Sequence, residues 1–114
     1  MPHCIIEYDQ SLDTSIDIEN VVQGVQQCAL ESGLFEPSAI KTRAIACSHC
    51  ASGQGDSQML HVRIHLFAGR SASQKLALSE SMLAALDAMI PQVPSLSVEL
   101  VDMDSESYQK RILV

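Results

Sequence analysis

Between positions 58 and 67 the chain reads QMLHVRIHLF, and apolar and polar residues alternate without a break. Leu60, Val62, Ile64 and Leu66 point one way, while His61, Arg63, His65 and Phe67 point the other. A period of two predicts a strand with one buried face. Residues 3 to 8 (HCIIEY) are apolar and β-prone, and end at the polar stretch DQSLDTS. From Asp17 the period changes: Ile18, Val21, Val22, Val25, Cys28 and Ala29 form a helical stripe opposite Glu19, Asn20, Gln23 and Gln26. With Asp17 as N-cap and Gly33 as stop, the pattern predicts a helix over about 17–32. Residues 39–47 (AIKTRAIAC) alternate loosely as a strand carrying two cations. The small polar stretch SHCASGQGDS that follows predicts a loop or hairpin connection.

A second helix is predicted over about 72–90. Ser71 and Gln74 stand at capping-box spacing, Leu76, Leu83, Leu86 and Ile90 supply the expected buried stripe, and Pro91 ends the run. Residues 96–103 (LSVELVDM) alternate as a fourth strand, and the tail SYQKRILV is expected to add a short terminal one. The order is strand–helix–strand, twice. Each half suits a β-α-β unit whose right-handed crossover makes its two strands parallel. This predicts an α+β fold: two fused β-α-β units, a pseudo-repeat of 2–50 and 57–104, in one domain over 1–114. They would share a four-stranded mixed sheet with both helices on one face. The other face would carry Lys41, Arg43, His61, Arg63 and His65, too polar for a core; cover by other subunits is one solution.

Composition narrows the function. Apolar residues make up 46% of the 114, enough for a packed core, whereas aromatics are only 4%. A formal charge of −7 with seven Lys and Arg argues against nucleic-acid binding, which depends on neutralising phosphates. No stretch approaches the ~20 apolar residues of a membrane span and no signal segment is visible, so a cytoplasmic protein without membrane contact is expected. Its cysteines, Cys4, Cys28, Cys47 and Cys50, are then expected as reduced thiols.

Five positions invite chemistry. Removal of Met1 would leave Pro2 as a free secondary amine, and an α-amino group titrates near ~8. Burial beside cations would tune it toward a neutral-pH base; taken alone, a proline at this position is mostly a strand start, where no donor is needed. Arg70, between Gly69 and the helix cap Ser71, can fork onto a carboxylate or stand as a solvated surface arginine. Lys41 and Arg43, two apart on a strand, could form the other half of an anion clamp or merely a polar outer face. His3 could orient or tune the amine, or pack. Cys47-Ser-His-Cys50 has a metal-like spacing but no second pair to complete a zinc site, so inert loop cysteines are the simpler reading. His61 and His65 read as interface or polar-surface residues.

Three stretches carry a resemblance over nearly the whole chain: MPHCIIEY, ESGLFEPSAIKTRA and HVRIHLFAGRS. In order and spacing they resemble the tautomerase superfamily, and within it the 5-carboxymethyl-2-hydroxymuconate Δ-isomerases of homoprotocatechuate breakdown. GRSASQK is also similar to the segment after the first strand of the short 4-oxalocrotonate tautomerases. The resemblance implies a homotrimer, no cofactor and no metal. It implies a small anionic substrate, a 2-hydroxymuconate-type acid, along which the terminal proline moves a proton. Pro2 then matches the base, Arg70 the strand-end arginine and Arg43 the second arginine of Ile-Arg-X-Arg. Lys41 replaces the first, keeping the charge but losing the planar fork. The candidate set is Pro2 and Arg70 as catalytic residues, with Arg43, Lys41 and His3 binding substrate. The competing class is a non-catalytic binding or assembly protein that keeps the fold. A retained Met1 would favour it, because Pro2 would then be an amide.

Overall fold

The N-terminal strand lies inside the sheet. In a computed structural model, which describes residues 1–113, β1 (His3–Asp9) pairs in parallel with β2 (Lys41–Cys47) and antiparallel with β3 (Met59–Phe67). β3 in turn pairs in parallel with β4 (Ser95–Met103), giving the order β2-β1-β3-β4. The crossovers are α1 (Ile18–Glu31) between β1 and β2, and α2 (Ala72–Met89) between β3 and β4. Two parallel β-α-β units thus meet along the antiparallel β1–β3 seam, and both helices cover one face. This is the α+β architecture the hydrophobic pattern predicts.

Local chemistry explains the helix boundaries. The Asp17 carboxylate accepts from the backbone N–H of Asn20, and Gly33, at φ +71°, takes the left-handed turn that releases the chain after α1. Ser71 and Gln74 form a reciprocal capping box at the start of α2. The polar stretch after β1 contains a short 3-10 turn (Gln10–Thr14), which seats Leu12 in the core. Asp9 starts that turn by accepting from Ser11 N–H at 3.0 Å, and also accepts from Ser57 Oγ at 2.9 Å. These bonds hold its carboxyl below the usual range.

The alternation in β3 places Leu60, Val62, Ile64 and Leu66 wholly out of solvent, with Cys4 and Ile6 of β1 beside them. Val21, Val25 and Ala29 of α1 pack onto this layer. From α2 come Leu78, Met82 and Leu86, with Ile90 just beyond its end. The expected α2 stripe is therefore half wrong. Leu86 and Ile90 are inside, but Leu76 is 58% and Leu83 41% exposed. The helix is apolar on most sides, and packing selects the ridge that repeats every four residues, 78-82-86-90, rather than the one every seven.

The tail departs further. Among the described residues, 107–113 form no strand; Val114 lies outside them. A turn built on Asp104, which accepts from Glu106 N–H at 3.0 Å, reverses the chain after β4. The tail then returns toward the N-terminus, where Tyr108 meets His3.

Strand register fixes the opposite sheet face as a grid. One row runs Lys41, His3, His65, Val101; the next Arg43, Ile5, Arg63, Glu99; a third Ile45, Glu7, His61, Ser97. Arg63 bridges Glu7 and Glu99, both at 3.1 Å, and His61 Nε2 meets Glu99 at 2.9 Å. The expected polar face is therefore a cross-strand ionic network.

Candidate active site

Pro2 is fully buried, and its carbonyl accepts the Lys41 backbone N–H at 3.0 Å. The parallel ladder between β1 and β2 thus fixes the start of the chain before any side chain acts. The Met1 ammonium donates to the Ala39 carbonyl at 3.1 Å. Partial burial pushes this amine below its ordinary value of 8.0, and the charges of Lys110, Lys41 and Arg70 push the same way.

Beside it opens a cavity of about 140 Å³. Met1, His3 and Lys41 line it together with Tyr108, Lys110 and Arg111. His3 stands in a directed relay. Arg43 Nη1–H donates to Nδ1 at 3.1 Å, which makes Nδ1 the acceptor and leaves Nε2–H to donate to Tyr108 Oη at 3.0 Å. Burial first, and then the Arg43 charge, hold His3 below 6.5, so the imidazole is neutral at pH 7. The Tyr108 ring also meets Phe67 edge-on at 5.4 Å.

Of the five sequence candidates, His3 and Lys41 line the cavity, Arg43 bonds to His3, and Pro2 sits between Met1 and His3 with its own side chain buried and not among the lining residues. Lys41 faces the cavity, while Arg43 engages it through His3. Arg70 is not part of the cavity wall. Its guanidinium donates to the carbonyls of Leu34 (2.7 Å) and Phe67 (3.4 Å) and lies 5.3 Å from the Phe35 ring centre. It pins the end of β3 to the segment after α1, yet its charge is felt at the terminal amine. Two of its five N–H donors serve these carbonyls, leaving the fork partly free.

Sequence reasoning missed Tyr108, Lys110 and Arg111. Their signal was present, a tyrosine and two adjacent cations in an otherwise acidic chain, but the tail was read only for strand periodicity. With them counted, the charge distribution becomes uneven. Of the seven Lys and Arg, Arg63 and Lys75 are in ion pairs. The other five, Lys41, Arg43, Arg70, Lys110 and Arg111, act on or line the surroundings of residues 1–3. Among the described residues none of those five has a salt-bridge partner. A chain of net charge −7 thus keeps an unneutralised cationic pocket at its N-terminus.

A larger cavity, about 480 Å³, lies elsewhere, against α2 and the start of β4. Glu80 and Asp87 line it with Leu83 and Leu96 and no cation, so it repels the anions the N-terminal pocket attracts. Among the described residues no group of three His, Cys, Asp or Glu stands together to hold a metal. Cys50 Sγ instead points at the Cys47 carbonyl, 3.8 Å away.

Known structures share this frame. A 5-carboxymethyl-2-hydroxymuconate delta-isomerase superposes with a TM-score of 0.86 at 19% identity, covering 98% of this chain and 88% of that one. A 5-carboxymethyl-2-hydroxymuconate isomerase from Deinococcus radiodurans R1 gives 0.83 at 23%, covering 96% and 88%. A macrophage migration inhibitory factor-like protein from Entamoeba histolytica gives 0.74 at 12%, covering 96% and 95%. These likenesses define the fold, a four-stranded mixed sheet with two helices that this chain shares with the isomerases and the migration inhibitory factor-like protein. No curated protein sequence matches the chain. The family model for 5-carboxymethyl-2-hydroxymuconate isomerase, however, matches residues 2–112, and the chain belongs to that family of isomerases.

Proposed function

We propose that this isomerase shifts a proton along 5-carboxymethyl-2-hydroxymuconate or a closely related conjugated polycarboxylate, with the Pro2 amine as general base once Met1 has been removed. The gathering of five unpaired cations around residues 1–3 carries the reading. An anionic substrate is drawn there, and a terminal amine in that field is neutral at a lower pH than in water.

In the reaction the neutral Pro2 nitrogen takes the proton of the 2-hydroxyl. The oxygen's electrons close a C2 carbonyl, the C2=C3 pair moves to C3=C4, and the former C4=C5 pair takes a proton from the prolinium at C5, leaving one carbon–carbon double bond conjugated to the carbonyl. Atoms and charge balance with no other reactant. Lys41 stabilises the negative charge that spreads over the dienolate, which counts for most in a water-poor pocket, and Arg70 adds its field from outside the cavity wall. The neutral His3, oriented by Arg43, holds the pocket wall without competing for the proton.

The family's chemistry gives this step a place in the breakdown of aromatic compounds in the cytoplasm. A fused 4-oxalocrotonate tautomerase of similar fold is a symmetric trimer (TM-score 0.70, 16% identity, covering 90% of this chain and 85% of that one). A homotrimer of this chain would cover the ionic sheet face.

The test follows ketonisation of 5-carboxymethyl-2-hydroxymuconate and 2-hydroxymuconate by ultraviolet absorbance, on protein whose intact mass lacks Met1. Pro2→Ala should lower kcat/KM by about 10²-fold or more, the scale of a lost general base. Processed protein that turns over neither dienol would sink the assignment and leave a binding protein on the same fold.

A further inference from the structure

The tail carries more than its sequence pattern suggests. After the turn at Asp104 it makes no ladder hydrogen bonds, yet it has a fixed anchor. The Tyr108 hydroxyl bonds to His3 and its ring sits edge-on against Phe67. Both partners belong to the outer face of the central strands β1 and β3. Anchored there, the next residues bring Lys110 and Arg111 to the lining of the N-terminal cavity, which Lys41 lines as well.

Lys41 is a point charge, and a lysine does not offer the two parallel N–H donors that grip a carboxylate plane. Arg111 is exposed and has no protein partner among the described residues, so its fork is open. The Ile112 side chain lines the same cavity and is 57% exposed, giving the mouth an apolar lip next to the cations. The wall that faces a bound anion therefore combines one lysine from β2 with a lysine and an arginine from the tail.

From this geometry we infer that Arg111, supported by Lys110, is the specificity-determining clamp for the substrate carboxylate farther from the reacting enol. The ligand class is a conjugated acid with at least two carboxylates. One lies near the amine and Lys41, and the other is gripped by the tail. The identity of the reacting group rests on the proton-transfer reading above; the demand for a second carboxylate rests on the cavity and the tail alone.

The probes are trans,trans-muconate and sorbate, six-carbon dienes of the same double-bond geometry that differ in having two carboxylates or one. Calorimetric titration of the processed protein should show a clear preference for muconate. Arg111→Gln should reduce that preference by about 10- to 100-fold, the range for a hydrogen bond between charged groups. Arg111→Lys should fall between, because charge returns without the fork. Lys75→Gln, which removes a cation paired with Asp102 away from the cavity, controls for net charge and should leave the preference as it is. An Arg111→Gln protein with the wild-type preference, or a wild type that binds muconate no better than sorbate, overturns the clamp. Loss of the preference in a protein that turns over no dienol would uphold the clamp and sink the proton-transfer reading instead.

Discussion

Arg43 donates to His3 Nδ1 at 3.1 Å, and that one bond decides which ring nitrogen of His3 carries the proton. The consequence reaches the C-terminal tail, since Nε2–H then serves Tyr108. A residue that the sequence places in an anion clamp thus acts first as the orienting group of a neighbouring side chain.

Arg43→Gln should raise the His3 pKa toward 6.5, because the charge that helps hold it down is removed while burial remains. In the native protein the folded-state value lies below the unfolded one. The stability linked to neutral His3 is therefore complete above pH 6.5 and is lost as pH falls through the folded-state value. Following the His3 ring protons by NMR across pH 4–8 checks both the direction and the shift. No change in the variant would separate Arg43 from His3.

The pH dependence of kcat/KM carries a second prediction. Burial and the charges of Lys110, Lys41 and Arg70 depress the Met1 amine of the unprocessed chain, and the same surroundings should depress the Pro2 amine that processing exposes. Activity should therefore decline on the acid side as the Pro2 amine takes up a proton, with that limb set lower by the neighbouring cations. Lys110→Gln should move this limb toward higher pH. A limb that stays where it is in this variant would mean that Lys110 does not act on the base.

Packing of α2 is tested by contrast. Met82 is wholly buried and Leu76 is 58% exposed. Met82→Ala should cost about 2–5 kcal/mol, as for other large-to-small core changes. Leu76→Ala should stay within about 0.5 kcal/mol, as surface substitutions do. Denaturant unfolding of the two variants decides between the four-residue ridge and the heptad stripe.

Gly24 marks where α1 meets the end of α2. A Cβ added there would lie 2.2 Å from Met89 Sδ and 2.7 Å from its Cε, so the thioether must move. In a Met89→Ala background Gly24→Ala should stabilise by about 1 kcal/mol through helix propensity. With Met89 present that gain should shrink or vanish, and a double-mutant cycle measures the coupling. Equal gains in both backgrounds would contradict the contact.

The strands and helix ends were legible because the interactions that set them are local. The period of two in β3 needs only its own residues, and so do the Asp17 cap and the Ser71–Gln74 box. The α2 face was not, because Leu76, Leu78, Met82, Leu83 and Leu86 leave two candidate stripes and only the partner surface chooses between them. The tail was missed for a similar reason. SYQKRILV has strand-like composition, but Tyr108 docks on His3, 105 positions away, and no local pattern encodes that contact. The site was half legible. Pro2, His3, Lys41 and Arg43 were read from the first strand and its partner, whereas Lys110 and Arg111 join them only through the tertiary turn. Arg70 was identified by its junction, but its bonds to Leu34 and Phe67 carbonyls depend on the segment after α1.

The account stands on a free amine at Pro2, and two forms of the same chain test this most directly. One begins at Pro2, released from a fusion by cleavage immediately before it; the other retains Met1, with both verified by intact mass. Initial rates of 5-carboxymethyl-2-hydroxymuconate ketonisation are then measured side by side. Turnover confined to the Pro2 form is the predicted result, since with Met1 attached the proline nitrogen is an amide without a basic lone pair. Equal rates from the two forms would contradict the proline base and move the search to another group in the cationic pocket.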